Sequence, residues 1–266
     1  MNKKTFILGV GSAKSGTTWL HEYLSAAPGV YGGPMKEYHV WDSLFVPECE
    51  GFKVTLEQTL VADEYRVGWL MQNIEGYYHS FFLRLLRNPG VDITMDISPA
   101  YCAVNADILK FVRDGFLKHD VDFKVVFLMR EPVERSWSMM RLLYQRQGKV
   151  ENAIPSREIL AYAKSRDCAI RGRFEVIVPH LESIFAPEQL YFGLYEEMFE
   201  EEKIKQISEF LGVPANPAFA ENHINTTDRS GSLDPTVRAE IERHYADTYE
   251  FVYKRFPQAE RLWIRR

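Results

Sequence analysis

The sequence predicts an α/β protein of three layers, in which helices cover both faces of a central parallel sheet. Segments with strand and helix patterns alternate along most of the 266 residues, which is typical of β-α-β units. The run Lys124–Met129 is apolar and β-branched without alternation, as in a strand that is buried on both faces. A short apolar run, Phe6–Gly9, leads through a glycine-rich loop into an amphipathic helix.

The elements follow in chain order from hydrophobic periodicity and turn signals. Strands are predicted at 6–9, 93–96, 124–129 and 190–194. Helices are predicted over 17–26, 56–88, 105–114, 132–148, 156–184, 196–211 and 235–256. We see no repeat and no linker, so we expect a single domain over residues 1–266. The stretch 212–234, rich in Gly, Pro, Asn, Thr and Ser, is expected to be a surface loop or a functional loop.

Composition limits the function classes. The formal net charge is −5, so a generic nucleic-acid binder, which is usually basic, is disfavoured. An acidic surface also makes a highly sulfated or carboxylated polymer a less natural partner. The cysteines, Cys49, Cys102 and Cys168, show no zinc or disulfide pattern, and no segment approaches the roughly 20 apolar residues of a membrane span. We expect a cytoplasmic protein without a metal or a membrane span, whose oligomeric state the sequence does not indicate.

The loop between the first strand and the first helix has the pattern of an anion site. Its backbone N–H groups and the positive end of the helix point at one spot. Gly11 and Gly16 occupy the two glycine positions of the Gly-x-x-x-x-Gly-Lys-Ser/Thr motif, but Thr17 stands where that motif has lysine. The lysine of this loop, Lys14, comes three residues earlier, which argues against ordinary ATP chemistry.

A second anion-binding element is predicted where the clearest strand ends. Arg130 leaves the carboxyl end of that strand, where ligands of open α/β sheets bind, and its guanidinium can grip a phosphate with two hydrogen bonds. Ser138 lies about two turns along the following helix and can add a hydroxyl donor. Arg135, in the same helix, is either a further cation or half of a salt bridge with Glu131 or Glu134, and we expect the salt bridge.

Together the two elements resemble the nucleotide site of sulfotransferases that depend on 3′-phosphoadenosine 5′-phosphosulfate (PAPS), a family with a P-loop NTPase-like fold. Residues 14–20, Lys-Ser-Gly-Thr-Thr-Trp-Leu, are similar to the family's 5′-phosphosulfate loop. Arg130, Pro132 and Ser138 match its 3′-phosphate element. The resemblance implies that Lys14 contacts the bridging and sulfuryl oxygens of PAPS, and that Arg130 and Ser138 hold the 3′-phosphate. The product would be 3′-phosphoadenosine 5′-phosphate (PAP), and no metal is implied.

The same resemblance implies roles for other loop residues. The 5′-phosphate would be held by the two threonine hydroxyls and by the N–H groups of Ser15, Gly16, Thr17 and Thr18. The loop before the last long helix resembles the family's segment that covers the nucleotide. In it, the 3′-phosphate would be met by Arg229, Ser230 and Gly231. A plain connector is the alternative for this loop.

The acceptor side is predicted from residues 34–42, Pro-Met-Lys-Glu-Tyr-His-Val-Trp-Asp. They resemble the segment of heparan-sulfate-type glycan sulfotransferases in which a glutamate, two residues before a histidine, is the general base. Glu37 holds the glutamate position and is the expected base. His39 is the rival, because its unperturbed pKa suits proton transfer and a histidine has this role in cytosolic small-molecule sulfotransferases. Alternatively, Glu37 only pairs with Lys36 or Lys14, and His39 fills the edge of an aromatic pocket.

At position 97 the sequence differs from that of the glycan sulfotransferases. Residues 96–101, Asp-Ile-Ser-Pro-Ala-Tyr, resemble a family segment Glu-Lys-Thr-Pro-Ala-Tyr, but Ile97 stands where that segment has a catalytic lysine. The acceptor therefore stays open: a carbohydrate, a lipid or another small molecule that carries a hydroxyl. Two other functions compete with sulfuryl transfer, namely a P-loop small-molecule kinase with Asp96 as magnesium ligand and a nucleotide-binding protein without catalysis.

Overall fold

A computed structural model describes residues 3–149, 154–221 and 233–264, and its strands form one parallel sheet. The strands are β1 (Thr5–Gly11), β2 (Ile93–Ile97), β3 (Asp122–Met129) and β4 (Leu190–Leu194). Their order across the sheet is β2-β1-β3-β4. Leu8, in the middle of β1, lies beside Asp96 of β2 and Val125 of β3. The four predicted strands are confirmed, with boundaries that differ by two residues at most.

Helices in the described residues cover both faces of the sheet. They are α1 (Thr17–Ser25), α2 (Trp41–Phe45), α3 (Asp63–Asn73), α4 (Tyr77–Leu85), α5 (Ala106–Leu117), α6 (Pro132–Arg146), α7 (Ser156–Ala163), α8 (Arg166–Ala169), α9 (Phe174–Glu182), α10 (Glu201–Leu211), α11 (Pro235–His244), α12 (Ala246–Arg255) and α13 (Gln258–Ile264). Short 3-10 turns occupy Pro47–Phe52, Gln58–Leu60, Tyr101–Ala103, Pro187–Gln189 and Pro217–Glu221. The predicted three-layer α/β/α class is confirmed, whereas the single domain over residues 1–266 stays a prediction.

Alternate side chains of the strands build a separate core on each face. Phe6 and Leu8 of β1 pack into the larger core, with α4, α5 and α9, while Ile7 packs into the smaller core, with α1 and α10. In β3, Phe127 faces the larger core and Val126 the smaller one. Both faces of each central strand are therefore buried, which explains why these strands read as continuous apolar runs.

Several predicted helices are interrupted. The pattern at 56–88 divides into α3 and α4, because Ile74 is extended and Gly76 has a left-handed φ of 73°. The pattern at 156–184 divides into α7, α8 and α9, and Ser165 caps α8 by accepting a hydrogen bond from the Cys168 N–H (3.1 Å). The predicted helix 235–256 breaks at Tyr245, and the one at 196–211 begins at Glu201. Apolar periodicity continued across these breaks, so it did not reveal them.

The sheet places the candidate site residues at one edge. The carboxyl ends of β1, β2 and β3 point the same way, because the strands are parallel. They are followed by the loop 11–16, residues 98–101 and Arg130, respectively. Ligands of open α/β sheets bind at such an edge. Within the described ranges, no helix is long and apolar enough to cross a membrane.

Candidate active site

The loop between β1 and α1 has a tightly constrained backbone. Lys14 and Gly16 have left-handed φ angles of 69° and 92°. A Cβ atom on Gly16 would stand 2.5 Å from Met198 Sδ, so a side chain at this position would need a rearrangement of the neighbouring loop. The glycine thus lets the chain turn directly into α1.

The N-terminus of α1 offers N–H groups to the space above the loop. The Ser15 N–H donates to Ser12 O (3.1 Å) inside the loop, and the Ser15 hydroxyl lies 3.2 Å from that of Ser12. The first helical hydrogen bond of α1 is accepted by Gly16 O (3.0 Å). The N–H groups of Thr17 and Thr18 precede that bond and have no partner within the helix. These N–H groups are therefore available to an anion at the positive end of α1, whereas the Ser15 N–H is bonded inside the loop.

Lys14 lies in a strongly cationic surrounding. Burial disfavours its charged ammonium, and the charges that act on it most are all positive, those of Arg130, Arg141, Arg146 and Lys36. Together they lower the pKa of Lys14 to about 8. A bound dianion would relieve this repulsion, so the surroundings of Lys14 suit a phosphate or sulfate group.

Arg130 joins the two predicted anion elements. Its Nη1 donates to Lys14 O (3.1 Å), and its guanidinium carbon lies 4.4 Å from the centre of the Tyr195 ring. Its Nε is buried and has no partner among the described residues. Buried N–H groups are normally satisfied, so this donor is available to a ligand. Ser138 is buried two turns along α6.

Arg135 does not form the salt bridge that the sequence predicted. It is fully buried, and its Nη2 donates to Cys168 O (3.0 Å) and lies 2.8 Å from Cys168 Sγ. Among the described residues, Glu131 and Glu134 pair with Arg238 instead. The prediction was wrong because α6 turns Arg135 into the protein interior, where backbone and sulfur atoms accept its hydrogen bonds.

Glu37, His39 and Asp42 form a hydrogen-bonded chain. His39 Nε2 lies 2.9 Å from Glu37 Oε2, and His39 Nδ1 lies 2.7 Å from Asp42 Oδ2. Asp42 is fully buried, and the His39 ring stacks on Phe52 with 3.8 Å between the ring centres. Lys36 forms an ion pair with Glu37 Oε1. Both candidate bases thus belong to one series of hydrogen-bonded side chains. Asp42 was not predicted, and its only local signal is its position three residues after His39.

Hydrogen bonds and neighbouring charges determine the ionisation states of Glu37 and His39. Burial raises the pKa of Glu37, but the hydrogen bond from His39 and the charge of Lys36 outweigh burial and lower that pKa to about 2. Burial lowers the pKa of His39, but hydrogen bonds to Asp42 and Glu37 outweigh it and raise that pKa to about 9. At neutral pH Glu37 is a carboxylate and His39 an imidazolium. Only Glu37 is then able to accept a proton, which favours it over His39 as base.

The loop that carries the candidate base is tied to the end of β2. The Ser98 hydroxyl donates to Asp96 Oδ1 (2.6 Å) and accepts from the N–H groups of Tyr38 and His39 (3.0 and 3.2 Å). The Tyr101 hydroxyl donates to Asp96 Oδ2 (2.8 Å) and accepts from the next N–H group after His39 (3.0 Å). Residues 96–101 therefore position the base loop, a role that the sequence did not reveal.

Neither Asp96 nor Ile97 is placed to meet a ligand. Ile97 is fully buried in the smaller core, where it packs against Gly9 of β1. Asp96 is fully buried, and burial raises its pKa to about 6. Its oxygens accept hydrogen bonds from the hydroxyls of Tyr78, Ser98 and Tyr101. These contacts contradict the assignment of Asp96 as a magnesium ligand, because a hard cation would have to displace them.

The remaining predicted site residues are not described. Arg229, Ser230 and Gly231 lie outside the described residues. In the ranges that are described, no group of three or more His, Cys, Asp and Glu side chains could hold a metal ion.

Comparison with known proteins identifies relatives of the chain. A model of the sulfotransferase domain family matches residues 3–244. A sulfotransferase from Alicyclobacillus acidocaldarius has a similar fold, with a TM-score of 0.60 and 21% identity over 93% of both chains. A mouse sulfotransferase complexed with PAP has a TM-score of 0.52 and 17% identity over 99% of this chain and 89% of its own. No curated protein sequence matches the chain. At these identities, the structural likeness shows the P-loop NTPase-like fold alone.

Proposed function

Because the family model covers most of the chain, the protein belongs to the sulfotransferase domain family and is a sulfotransferase, and we propose that it uses PAPS as donor, a hydroxyl as acceptor and Glu37 as general base. PAPS supplies an electrophilic sulfur and a leaving phosphate. The observation that carries this proposal is the hydrogen bond from Arg130 Nη1 to Lys14 O (3.1 Å), because it brings the two predicted phosphate elements together.

The donor region fits a nucleotide that is phosphorylated at both ends. In our proposal, Lys14 and the N–H groups of Thr17 and Thr18 hold the phosphosulfate, since they lie at the positive end of α1. Arg130 holds the 3′-phosphate with its unpartnered Nε, and Ser138 adds a hydroxyl. The mouse neighbour is complexed with PAP, which carries both phosphates. Contacts from Arg229, Ser230 and Gly231 remain part of the proposal.

Glu37 removes the proton of the acceptor hydroxyl in this mechanism. A carboxylate with a pKa of about 2 is a weak base, so its basicity must rise before transfer. The charge of Lys36 acts on both Glu37 and Lys14, and an anionic donor beside Lys14 would attract it. A shift of Lys36 toward the donor weakens its ion pair with Glu37 and brings a second cation to the leaving phosphate. Lys36 thereby takes over the task of the lysine that is missing at Ile97.

His39 and Asp42 hold Glu37 in place during proton transfer. The buried Asp42 accepts a hydrogen bond from His39 Nδ1, which leaves His39 Nε2 directed at Glu37. This arrangement fixes one oxygen of Glu37, while the contact with Lys36 engages the other. The acceptor hydroxyl is then expected to approach the oxygen that Lys36 releases.

Glu37→Gln tests the assignment of the base. We expect kcat for sulfuryl transfer to fall by about 10²- to 10⁴-fold, the usual contribution of general base catalysis, while PAP binds as before. PAP release is measured with a panel of carbohydrate, alcohol and phenol acceptors, and PAP affinity by calorimetry. Glu182→Gln is the matched control, because it removes an exposed carboxylate whose ion pair among the described residues is with Arg255. An unchanged kcat in Glu37→Gln would refute Glu37 as base.

A further inference from the structure

Exposed apolar side chains are concentrated beside the candidate base. Twelve large apolar side chains are exposed among the described residues, and seven of them fall within residues 44–65. This stretch, which we call the apolar strip, exposes Leu44, Phe45, Phe52, Leu56, Leu60, Val61 and Tyr65. Scattered exposed apolar residues are normal, but a concentration of them marks a binding surface.

The near end of the apolar strip is fixed to the base loop. The Phe52 ring is 40% exposed and stacks on His39, which contacts Glu37. The side-chain amide of Gln72 donates to His39 O (3.0 Å) and Phe52 O (3.1 Å) and accepts from the Val54 N–H (2.8 Å). The apolar strip therefore adjoins the loop that carries the proposed base and is held in a defined orientation to it.

At the far end of the apolar strip, residues 56–61, backbone hydrogen bonds stabilise turns that leave their apolar side chains exposed. The N–H groups of Thr59 and Leu60 donate to Leu56 O and Glu57 O (3.1 and 3.2 Å) in consecutive tight turns. Leu56, Leu60 and Val61 are 62%, 87% and 78% exposed. Because the backbone groups of these turns bond to one another, the turns form without burying their apolar side chains in the core.

The charges around the apolar strip distinguish between its possible occupants. Lys53 pairs with Glu50, and Arg66 pairs with Asp63. Glu57, whose pKa is lowered by local hydrogen bonds, adds a negative charge. Residues 44–66 carry five carboxylates against two cations, Lys53 and Arg66. This excess of negative charge repels an anionic membrane surface and a polyanionic glycan, but it accepts an uncharged molecule.

We propose that the acceptor is a hydroxyl compound with an uncharged alkyl or aryl body, which lies along the apolar strip with its hydroxyl at Glu37. This inference rests on the proposed function and narrows its substrate class. The hydroxyl oxygen bonds to sulfur as the bond from sulfur to the 5′-phosphate breaks, and the hydroxyl proton passes to Glu37. A carbohydrate acceptor would leave the apolar strip in water, so the strip favours the apolar class.

A series of para-alkylphenols, from methyl to octyl, tests this inference. With saturating PAPS, we expect kcat/KM of the wild-type protein to rise about two- to four-fold for each added methylene that the strip buries. In the double variant Leu56→Asp/Leu60→Asp, this dependence on chain length is expected to disappear. Both residues are exposed, so the variant keeps its fold, its PAP affinity and its activity on the methyl compound within about two-fold.

Leu117→Asp/Val176→Asp is the matched control, because these residues are also exposed but lie outside the apolar strip. This control should keep the wild-type dependence on chain length. A wild-type rate that does not depend on chain length, or an unchanged dependence in Leu56→Asp/Leu60→Asp, would overturn the inference. Two further results would overturn it by assigning the strip to another occupant: a wild-type dimer that becomes monomeric in that variant by sedimentation velocity, or wild-type binding to phosphatidylcholine vesicles that the variant loses.

Binding of para-octylphenol, measured by saturation-transfer NMR, separates this inference from the proposed function. Binding that the double variant abolishes, without transfer to any carbohydrate, alcohol or phenol of the panel, supports an apolar ligand site and contradicts the proposed transfer to a hydroxyl. Transfer that shows no dependence on chain length contradicts the inference and supports the proposed function. A wild-type protein that neither binds nor sulfates para-octylphenol contradicts the inference.

Discussion

The donor region and the acceptor region of this site are built differently. The donor region, residues 11–18 and Arg130, follows directly from two strand ends and a helix N-terminus. The acceptor region, residues 36–42, is held by hydrogen bonds with the side chains of Ser98, Tyr101 and Gln72, which lie far away in the chain. Backbone geometry thus fixes the proposed phosphate site, whereas distant side chains position the proposed base.

The two regions also differ in charge. Burial and the neighbouring cations lower the pKa of Lys14, so this region favours an anionic ligand. Glu37, His39 and Asp42 alternate in charge and stabilise one another. Substitutions in the donor region should therefore affect nucleotide binding, and substitutions in the acceptor region should affect the rate of transfer alone.

After Glu37→Gln, the largest effect is expected from Lys14→Met. It removes the cation nearest the proposed phosphosulfate, so kcat/KM should fall by about 10²- to 10³-fold, as when one stabilising donor is removed from an active site. The measurement is PAP release under steady-state conditions. Lys205→Met, which removes an exposed lysine paired with Glu201, should leave the rate unchanged. Equal activity of the Lys14 variant and this control would contradict the donor assignment.

A smaller effect, confined to the acceptor region, is expected from Ser98→Ala. It leaves Asp96 and the N–H groups of Tyr38 and His39 without this partner, so the free energy of unfolding should fall by about 1–3 kcal/mol. The misplaced base should lower kcat roughly 10- to 100-fold. Chemical denaturation and steady-state kinetics measure the two effects.

PAP affinity decides whether Ser98 acts on the base or on the whole site. It should be unchanged in Ser98→Ala, because the hydroxyl of Ser98 bonds to the acceptor region and to Asp96 of β2. Ser183→Ala, which removes an exposed hydroxyl immediately after α9, is the control and should change neither quantity. Loss of PAP affinity in parallel with kcat would mean that the two regions are not separate.

The smallest effect is proton uptake by the donor region. Since the pKa of Lys14 is about 8 in the free protein, Lys14 is neutral in roughly half of the protein molecules at pH 8. An anionic ligand favours the charged form and raises this pKa, so PAP binding should take up about half a proton at pH 8 and weaken as pH rises further. Calorimetry in buffers with different ionisation enthalpies measures the uptake. Lys14→Arg should abolish it, and equal uptake in that variant would refute Lys14 as its source.

The same contrast explains what the sequence could predict. The strands, the phosphate loop and Arg130 were predictable because each is encoded within a few consecutive residues. The proximity of Lys14 and Arg130 was predictable because the parallel strands that precede them end at the same edge of the sheet. Family membership follows from the same segments, since the family model covers them.

The positioning of the base was not predictable, because it depends on long-range contacts. Ser98 and Tyr101 reach the base loop across about 60 residues of sequence, and neither residue type signals such a contact. Arg135 was misassigned for the same reason, because its partner Cys168 lies on another helix. Helix interruptions at Gly76 and Tyr245 were missed because apolar periodicity continues through them.

The central claim is that the donor region holds a nucleotide phosphorylated at both ends, and the most direct test compares PAP with AMP by calorimetry. We predict that PAP binds the wild-type protein about 10- to 100-fold more tightly than AMP, the value of a charge-assisted hydrogen bond to the 3′-phosphate. Arg130→Gln should remove most of that difference while AMP affinity changes little. Equal affinities of the wild-type protein for PAP and AMP would contradict the claim.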